Sequence, residues 1–521
     1  MNKNHWLRRF IVGVLLSSLI VAGGGDVSAV SAVSEPVVKY PATEIAAGYV
    51  HTCALLATGN IKCWGYNANG QLGIGNNIDS SIPIEITGGA LAGKTVTQIA
   101  AGAGVHTCVL LSDATIACWG GNGFGQLGTS DTAERNIPVA ITGGALAGKT
   151  ITQIAVGGGH TCALFSDSTV ACWGNNLLGQ LGIGNYSDSH IPVAVTGGAL
   201  DGKTVTQISA GSQHTCALLS DATIACWGAN NDGQLGTGIT SRDINVPVAV
   251  SEGSNAGHTV TRITASGYHT CALLSDGTVS CWGRNAYGQL GTGDTTNSNT
   301  PLAVTGGSLS GKTITEIQAN IFHTCALLSD GTVSCWGRNE YGQLGTGDTT
   351  NSNTPLAVTG GALTGKTVTR VSAGREHTCA LLTNGTVACW GMSHTGRLGN
   401  GSTIDSYIPV AVLWPTRAAA STKPTILGTA RTGQRLRVNK GTWTGFPTPI
   451  YTYKWYACSA KITRSVQNVP RSCRLIRGAA SATFRLTASQ KGKYIAVRVT
   501  GTSTGFLGTS WLSKTTTTKV S

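Results

Sequence analysis

The feature that most constrains the fold of this 521-residue chain is a tripeptide that recurs seven times. Each His-Thr-Cys copy begins 54 or 55 residues after the previous one, and a Cys-Trp-Gly tripeptide starts ten residues after each of these cysteines. Such regular spacing indicates an internal repeat, in which each copy must pack against its neighbours to bury its apolar surface. The seven histidines are His51, His106, His160, His214, His269, His323 and His377.

The stretch CALLSDGTVSCWG, residues 271–283, predicts a β-hairpin. Two β-rich runs flank Ser-Asp-Gly, which suits a three-residue loop with Gly277 in the left-handed conformation and Cys271 opposite Cys281. Because side chains alternate across a strand, both faces of this hairpin are apolar and it must lie between neighbours. One face carries Leu273, Val279 and both cysteines, and the other carries Ala272, Leu274 and Trp282.

Two further strand-like runs flank each hairpin, TVTRI or similar before it and PLAVT or similar after it. The chain has 72 glycines, and only 11% of its residues are charged, so coiled coils and charge-driven disorder are excluded. Four strands per repeat in seven repeats predict an all-β chain that forms a seven-bladed β-propeller over residues 33–414.

The motifs G-x-x-H-T-C-A-L, D-G-T-V, C-W-G-x-N-x-x-G-Q-L-G and P-x-x-V follow one another in these repeats, from about Thr43 to Leu413. This succession resembles the repeats of the regulator of chromosome condensation family. The resemblance implies seven blades that close one ring, and the paired cysteines resemble the secreted bacterial branch. It also implies guanine-nucleotide exchange as an alternative function, although export and disulfides argue against that activity.

The paired cysteines admit two interpretations, a metal site or disulfides. A zinc site needs four ligands, whereas each repeat supplies one pair, so disulfides are favoured, and an exported chain meets an oxidising compartment. We expect eight bonds, namely Cys53–Cys63, Cys108–Cys118, Cys162–Cys172, Cys216–Cys226, Cys271–Cys281, Cys325–Cys335, Cys379–Cys389 and Cys458–Cys473.

The N-terminus predicts export. Lys3, Arg8 and Arg9 precede an apolar stretch, residues 10–22, that is too short to span a membrane, and small residues follow as candidate cleavage sites. We therefore assign residues 1–32 to a signal peptide region. The mature protein is expected to be secreted or held at the cell surface, not membrane-spanning, and monomeric.

Five segments match the phosphate-binding pattern G-x-x-x-x-G-K-T. In a true phosphate-binding loop the Lys-Thr pair opens a helix whose amides face the anion, whereas here alternating β-branched residues follow and predict a strand. We expect no nucleotide to bind. The segments are residues 88–95, 143–150, 197–204, 306–313 and 360–367.

The recurring histidines suggest catalysis at first sight. An active site needs one constellation of distinct residues, so a histidine present in every repeat is interpreted as a structural anchor. The acidic loops, such as Asp294 to Asn297, offer too few carboxylates for calcium and suit turns. We predict no enzyme activity, no catalytic residue, no cofactor and no metal.

Function is expected where the repeats differ, in the loops before the histidines and after Cys-Trp-Gly. Several of these positions carry aromatic residues or arginine, which dominate binding hot spots, although some could instead fill gaps between blades. The candidate ligand-binding residues are Tyr49, Tyr66, Phe124, Gln213, Tyr268, Arg284, Tyr287, Phe322, Arg338, Tyr341, Arg375 and Glu376.

The composition and charge of the chain change after Trp414. Residues 415–423 are predicted as a linker and residues 424–521 as a small β-sandwich whose alternating runs include residues 451–455 and 494–499. The residues from Pro415 onward include 18 Lys and Arg but no Asp or Glu, whereas residues 33–414 include 15 basic and 22 acidic residues. Gly441-Thr442-Trp443 and the run from Tyr453 to Cys458 resemble immunoglobulin-like modules of actinobacterial surface proteins.

These observations together predict a non-enzymatic binding scaffold outside the cell. The propeller loops would bind a protein or a glycan, and the basic module would associate with an anionic envelope polymer, because unopposed positive charge attracts polyanions. A generically basic surface without a specific partner is the alternative for this module. A secreted enzyme or enzyme inhibitor that uses the propeller loops is the alternative function for the whole chain.

Overall fold

The structure, a computed structural model, describes residues 41–240, 243–503 and 508–521. The predicted signal peptide region, residues 1–32, lies outside the described residues. Within the described ranges, no helix is long and apolar enough to cross a membrane.

Seven four-stranded antiparallel sheets, called blades 1 to 7, follow one another along the chain. Strands are hydrogen-bonded in sequence order within each blade, so the first and fourth strands are its edges. The bounds are β1 Ala42–Ala47, β2 His51–Leu56, β3 Ile61–Gly65 and β4 Ser80–Glu85 in blade 1; β5 Val96–Ala100, β6 His106–Leu111, β7 Ile116–Gly120 and β8 Arg135–Ile141 in blade 2; β9 Ile151–Val156, β10 His160–Phe165, β11 Val170–Gly174 and β12 Ser189–Ala194 in blade 3; and β13 Val205–Ala210, β14 His214–Leu219, β15 Ile224–Gly228 and β16 Ile244–Ala249 in blade 4.

Blades 5 to 7 repeat the same plan, and a three-residue 3-10 helix lies in each of the six connections between successive blades. The strands are β17 Val260–Ala265, β18 His269–Leu274, β19 Val279–Gly283 and β20 Ser298–Ala303 in blade 5; β21 Ile314–Ala319, β22 His323–Leu328, β23 Val333–Gly337 and β24 Ser352–Ala357 in blade 6; and β25 Val368–Ala373, β26 His377–Leu382, β27 Val387–Gly391 and β28 Ser406–Ala411 in blade 7. The 3-10 helices span Gly89–Leu91, Gly144–Leu146, Gly198–Leu200, Gly253–Asn255, Gly307–Leu309 and Gly361–Leu363. The expectation of an all-β chain with four strands per repeat is confirmed.

The predicted hairpin register is confirmed. Cys271 lies opposite Cys281 between β18 and β19, and Gly277 in the turn has φ +80°. All eight expected disulfides are present, with the seven blade bonds joining cysteines whose Cα atoms are 4.0–4.1 Å apart. The described residues contain no free cysteine.

Both faces of each hairpin are buried because neighbouring blades cover them. The disulfide face of blade 5, with Leu273 and Val279, shares a core with Ala326, Leu328 and Trp336 of blade 6. The disulfide therefore lies inside the interface between blades, where its cysteines and Trp336 have no solvent exposure. Burial of such large apolar side chains contributes about 1.5–3 kcal/mol each, so this repeated contact stabilises the stack of blades.

The seven histidines link the blades in a continuous series. The imidazole Nε2 of His51 in blade 1 lies 2.8 Å from Oγ1 of Thr107 in blade 2, and His377 of blade 7 makes the same contact with Thr52 of blade 1 at 2.9 Å. The Thr107 hydroxyl donates to the Gln71 carbonyl, so it accepts from the imidazole. The last blade thus contacts the first through the bond that joins the other neighbours.

Strand register places the variable loops together at one end of the blades. His51 at the start of β2 lies opposite Gly65 at the end of β3, so the first-to-second and third-to-fourth connections leave the sheet on the same side. We call this side the loop face. The other side, which carries the hairpin turns and the connections between blades, is called the turn face.

The chain after blade 7 forms a separate set of small sheets. The three-stranded and four-stranded sheets enclose one core around Trp455, Leu436 and Val497. The predicted alternating runs pair along nine residues, and Cys458 bonds Cys473. The elements are β29 Thr416–Ala420, β30 Thr425–Leu427, β31 Arg435–Asn439, β32 Trp443–Phe446, β33 Ile450–Cys458, β34 Cys473–Leu475, β35 Thr483–Arg485, the 3-10 helix Ala488–Gln490, β36 Tyr494–Thr502 and β37 Thr509–Leu512.

The segment predicted as a linker, residues 415–423, contains strand β29. This strand pairs with β32, with Thr416 opposite Phe446 and Ala420 opposite Trp443. The Thr416 hydroxyl also accepts the amide hydrogen of Phe446 at 2.8 Å. A polar, alanine-rich run can serve as an edge strand when a neighbouring strand offers free backbone groups, and composition alone does not reveal that partner.

Candidate functional site

Three arginines on the loop face are stacked on aromatic rings contributed by different blades. The Arg338 guanidinium lies 5.0 Å from the ring centroid of Phe322, 5.4 Å from that of Tyr287 and 5.6 Å from that of Tyr341. Phe322 and Tyr287 also meet edge to face, with centroids 5.6 Å apart. Cation–π contacts of this kind contribute about 0.5–2 kcal/mol, depending on exposure.

The same arrangement continues on both sides of Arg338. Arg375 lies 4.6 Å from the ring centroid of Tyr49 and 5.8 Å from that of Phe322, while Arg284 lies 5.3 Å from that of Tyr268. The stacked set is called the arginine–aromatic cluster. It consists of Tyr49, Tyr268, Arg284, Tyr287, Phe322, Arg338, Tyr341 and Arg375.

A buried carboxylate anchors this cluster. Glu376, whose side chain is 8% exposed, lies 3.5 Å from Nε of Arg375, 3.6 Å from Nη1 of Arg338 and 3.8 Å from Nη1 of Arg397. Burial lowers the pKa of Arg397, while Glu376 opposes that shift. Removal of one partner from a buried ion pair costs about 3–5 kcal/mol, so Glu376 holds the arginines in place.

Arg338 makes one further ion pair, with Glu340. The hydrogen bond to Glu340 raises the pKa of Arg338, and the carboxylates and the Tyr287 ring add to that shift. The guanidinium is 13% exposed, so its orientation is defined by stacking and by two carboxylates. A cation that is already oriented loses little rotational freedom when a ligand binds.

Nine of the twelve candidate residues named from the sequence take part in these contacts, and two of the nine, Arg284 and Tyr268, contact only each other within this set. The cluster and Glu376 draw on blades 1, 5, 6 and 7, whereas Tyr66, Phe124 and Gln213 lie on loop-face segments of blades 1, 2 and 4. Phe124 is 43% exposed. Among the described residues, no recorded side-chain contact joins these three to the cluster.

Two groups of residues were missed by the sequence analysis. Arg397 stands where the other repeats have glutamine, and this departure from the repeat was the available signal. The second group lies inside a channel of ≈ 760 Å³ that is lined by the seven first strands. Its members occupy one variable position per repeat, namely Glu44, Gln98, Gln153, Gln207, Arg262, Glu316 and Arg370.

The residues of the motifs that resemble catalytic sites make structural contacts with neighbouring groups. Burial lowers the pKa of His51 to about 3, so this imidazole is neutral while it holds the next blade. Strands follow the Gly-Lys-Thr segments, and Lys94 pairs with Asp113 at 2.8 Å on the turn face. Asp294 accepts the backbone N–H of Thr296, as expected for a turn residue. No group of three or more potential metal ligands is found among the described residues.

Comparison with known proteins places these features in context. The model of the RCC1-like domain matches residues 90–428, and the model of the regulator of chromosome condensation (RCC1) repeat matches residues 42–71 and 59–110. The ultraviolet-B receptor UVR8 of Arabidopsis thaliana is 34% identical over 366 residues, 70% of this chain and 80% of the receptor. The E3 ubiquitin-protein ligase HERC2 of Homo sapiens is 31% identical over 334 residues, which cover 64% of this chain but only 7% of the ligase.

Solved structures agree on the fold. Human WBSCR16 superposes with a TM-score of 0.60 at 24% identity and covers 69% of this chain and 96% of its own. Prp20p from Saccharomyces cerevisiae, described with its binding to Gsp1p and histones, superposes with a TM-score of 0.57 at 22% identity and covers 72% of this chain and 87% of its own. At these identities the likeness concerns the propeller fold alone.

Proposed function

Because the chain belongs to the regulator of chromosome condensation repeat family, we propose that its seven blades form a closed, non-enzymatic propeller scaffold that binds a protein or a glycan. The observation that carries this proposal is the arginine–aromatic cluster held around Glu376 on the loop face. Arginine, tyrosine and tryptophan dominate binding hot spots, because they combine a large contact area with few internal rotations.

Partly exposed arginines support this assignment. The cluster has three of them, whereas Arg397 beside Glu376 is buried and is also opposed by Asp405 and Asp79. Residues 33–414 as a whole carry 15 basic and 22 acidic residues, a formal charge of −7. Partly exposed arginines on a body of negative charge favour a ligand with acidic groups, because complementary charges steer association. Prp20p, described with its binding to Gsp1p and histones, offers a precedent for protein ligands on this fold.

The test compares cluster variants on peptide and glycan arrays. We expect Tyr49→Ala and Tyr341→Ala to abolish the binding that the wild type shows, with the unfolding temperature unchanged, because both side chains are partly exposed. Tyr186→Ala is the matched control, since Tyr186 is exposed in a loop of blade 3 outside the cluster. Equal binding by wild type and cluster variants would refute the loop-face site.

For the C-terminal region we propose association with an anionic envelope polymer. Residues 415–521 include 18 basic residues and no acidic residue, and neighbouring strands bring cations together, with Lys454 opposite Arg498 and Arg435 opposite Arg485. Such a surface attracts polyanions over a long range. We further propose that this region, residues 424–521 with the preceding strand β29, is an immunoglobulin-like module.

We also propose that the protein acts outside the cell, secreted or at the surface. Eight disulfides support this location, because such bonds persist in oxidising compartments. The N-terminal sequence predicts the export that this location requires.

A further inference from the structure

The channel through the blades carries a ring of one polar side chain per blade. This side chain is neutral in some blades and charged in the others. Blades 2, 3 and 4 contribute Gln98, Gln153 and Gln207. The other blades replace this glutamine with a charged residue, and each change alters what the side chain can bind. The charged members are Glu44 in blade 1, Arg262 in blade 5, Glu316 in blade 6 and Arg370 in blade 7.

In the glutamine half of the ring, each side-chain amide forms hydrogen bonds with the backbone of the next blade. Gln153 accepts the N–H of Ile208 at 2.9 Å and donates to the C=O of the same residue at 3.0 Å. Gln207 makes the same pair of bonds with Ile263, and Gln98 makes them with Ile154. These three amides therefore join successive blades and leave little capacity for a ligand.

Three members of the charged half are also engaged. Arg262 lies 3.9 Å from Glu316, which accepts a hydrogen bond from Gln318 at 3.0 Å. Glu44 accepts the N–H of Ile99 at 3.3 Å. Burial raises the pKa of Glu44 to about 7, a shift that the Ile99 bond and Arg370 oppose, so at neutral pH its negative charge is incomplete.

Arg370 differs from these neighbours. No hydrogen bond or ion pair joins its guanidinium to another of the described residues, although the side chain lines the channel. It also lines a cavity of ≈ 520 Å³ near the start of the first strands, together with Thr43, Gln98 and Gln153. This cavity lies at the turn-face end of the channel, because the first strands begin there.

We propose that the turn-face end of the channel binds a carboxylate group through Arg370, presented by a small organic acid or by the C-terminus of a peptide. The planar guanidinium matches a carboxylate with two parallel N–H···O bonds. A single unpaired arginine beside Glu44 and Glu316 suits one negative charge, because a dianionic group such as phosphate would be repelled by these carboxyls. The threonines around Arg370 offer polar contacts for the rest of the ligand.

The experiment measures binding of four probes to the full chain by calorimetry. The probes are propionate, an acetylated tripeptide with a free C-terminal carboxylate, the same tripeptide as its amide, and inorganic phosphate. Arg370→Gln is the test variant, because glutamine occupies this ring position in three other blades and the variant is expected to fold. We expect binding of the carboxylate probes to weaken by about tenfold or more, as loss of a charged hydrogen-bond partner predicts.

Arg135→Gln is the matched control, because it makes the same substitution at the start of β8, where Arg135 pairs with Asp131 away from the channel. Its affinity should stay within about twofold of the wild type, since Arg370 is unchanged. Arg370→Lys keeps the charge without the planar fork and should bind with intermediate affinity.

Binding of propionate alone would identify a free acid as the ligand, and binding of the free peptide but not its amide would identify a C-terminus. Three results would overturn the proposal: a wild type that binds neither carboxylate probe, a wild type that binds inorganic phosphate in preference to both, or an Arg370→Gln variant that binds them unchanged.

Discussion

His377 in the last blade lies 2.9 Å from the hydroxyl of Thr52 in the first, although 325 residues separate them. The Thr52 hydroxyl donates to the carbonyl of Arg397, which also accepts the indole N–H of Trp64 at 2.9 Å. The residue that departs from the repeat at position 397 therefore supplies the backbone group that the other blades take from glutamine. Blade 7 meets blade 1 through the contacts that join other neighbouring blades.

This contact predicts that Thr52→Val destabilises the protein. Valine keeps the shape of threonine but leaves the buried Nε2–H of His377 and the Arg397 carbonyl without their partner, which costs about 1–3 kcal/mol. Chemical denaturation would measure the loss. Thr350→Val, at an exposed loop position, should change the free energy of unfolding by less than about 0.5 kcal/mol. Equal stabilities for the two variants would argue against closure through this bond.

Each blade disulfide should stabilise its hairpin. The double variant Cys271→Ala/Cys281→Ala is expected to lower the free energy of unfolding by about 2–3 kcal/mol, because the bond closes a ten-residue separation in the unfolded chain. Nonreducing peptide mapping should recover the eight expected pairs from the wild type. Bonds that systematically join different blades, or free thiols in the purified protein, would contradict the hairpin register.

The buried histidines predict acid-induced unfolding. Burial lowers the pKa of six of them to about 3 or 4 and that of His377 well below 6.5, whereas the unfolded chain titrates near 6.5. Because their folded-state pKa is depressed, their contribution to stability is complete above pH 6.5 and is lost as the pH falls toward the folded values. Each histidine lowers the free energy of unfolding by about 1.4 kcal/mol per pH unit in that window.

Glu44 has the opposite effect on how stability depends on pH. Its pKa is raised from 4.5 to about 7, so its contribution is complete below pH 4.5 and is lost as the pH rises through 7. One carboxyl cannot offset seven imidazoles, so we expect unfolding below neutral pH to take up several protons. Denaturation curves from pH 4 to 7 would measure this number. Uptake of one proton or fewer would contradict buried neutral histidines.

The Gly-Lys-Thr segments are expected not to bind nucleotides. Lys94, Lys149, Lys203 and Lys312 each pair with an aspartate of a hairpin turn on the turn face, and strands follow the segments. Calorimetry with ATP and GTP should therefore show no heat of binding in the wild type. The result should be the same when all five segment lysines, including Lys366, are replaced by alanine. Saturable heat in the wild type that disappears in this variant would restore the phosphate-loop interpretation.

The basic C-terminal region should bind anionic polymer or acidic vesicles in a salt-dependent manner. A fragment for this test should begin at Pro415, because strand β29 pairs with β32. Exposed charges are screened over about 8 Å at physiological ionic strength, so binding should weaken steeply as salt rises. Residues 33–414 serve as the control and should bind poorly. Binding that persists in molar salt, or that is equal for the two fragments at low salt, would reject electrostatic anchoring.

The hairpins and their disulfides could be predicted from the sequence because their partners are close along the chain. Cys271 and Cys281 are ten residues apart, and the period of two along a strand together with the turn at Gly277 determines their register. The same local rules explain why strands rather than helices follow the Gly-Lys-Thr segments. The repeat spacing then determines the number of blades.

Contacts between blades could be decided only by the tertiary structure. Tyr49 and Arg375 lie 326 residues apart and stack because blade 7 meets blade 1. Arg370 likewise lines a cavity with Gln98 and Gln153, which belong to blades 2 and 3. Local periodicity determines which face of a strand a side chain occupies, but the packing of whole sheets around the channel determines which side chain of another blade it meets. The sequence by itself therefore specified the blades and the variable positions, and the tertiary structure selected which of those positions form the cluster and the channel ring.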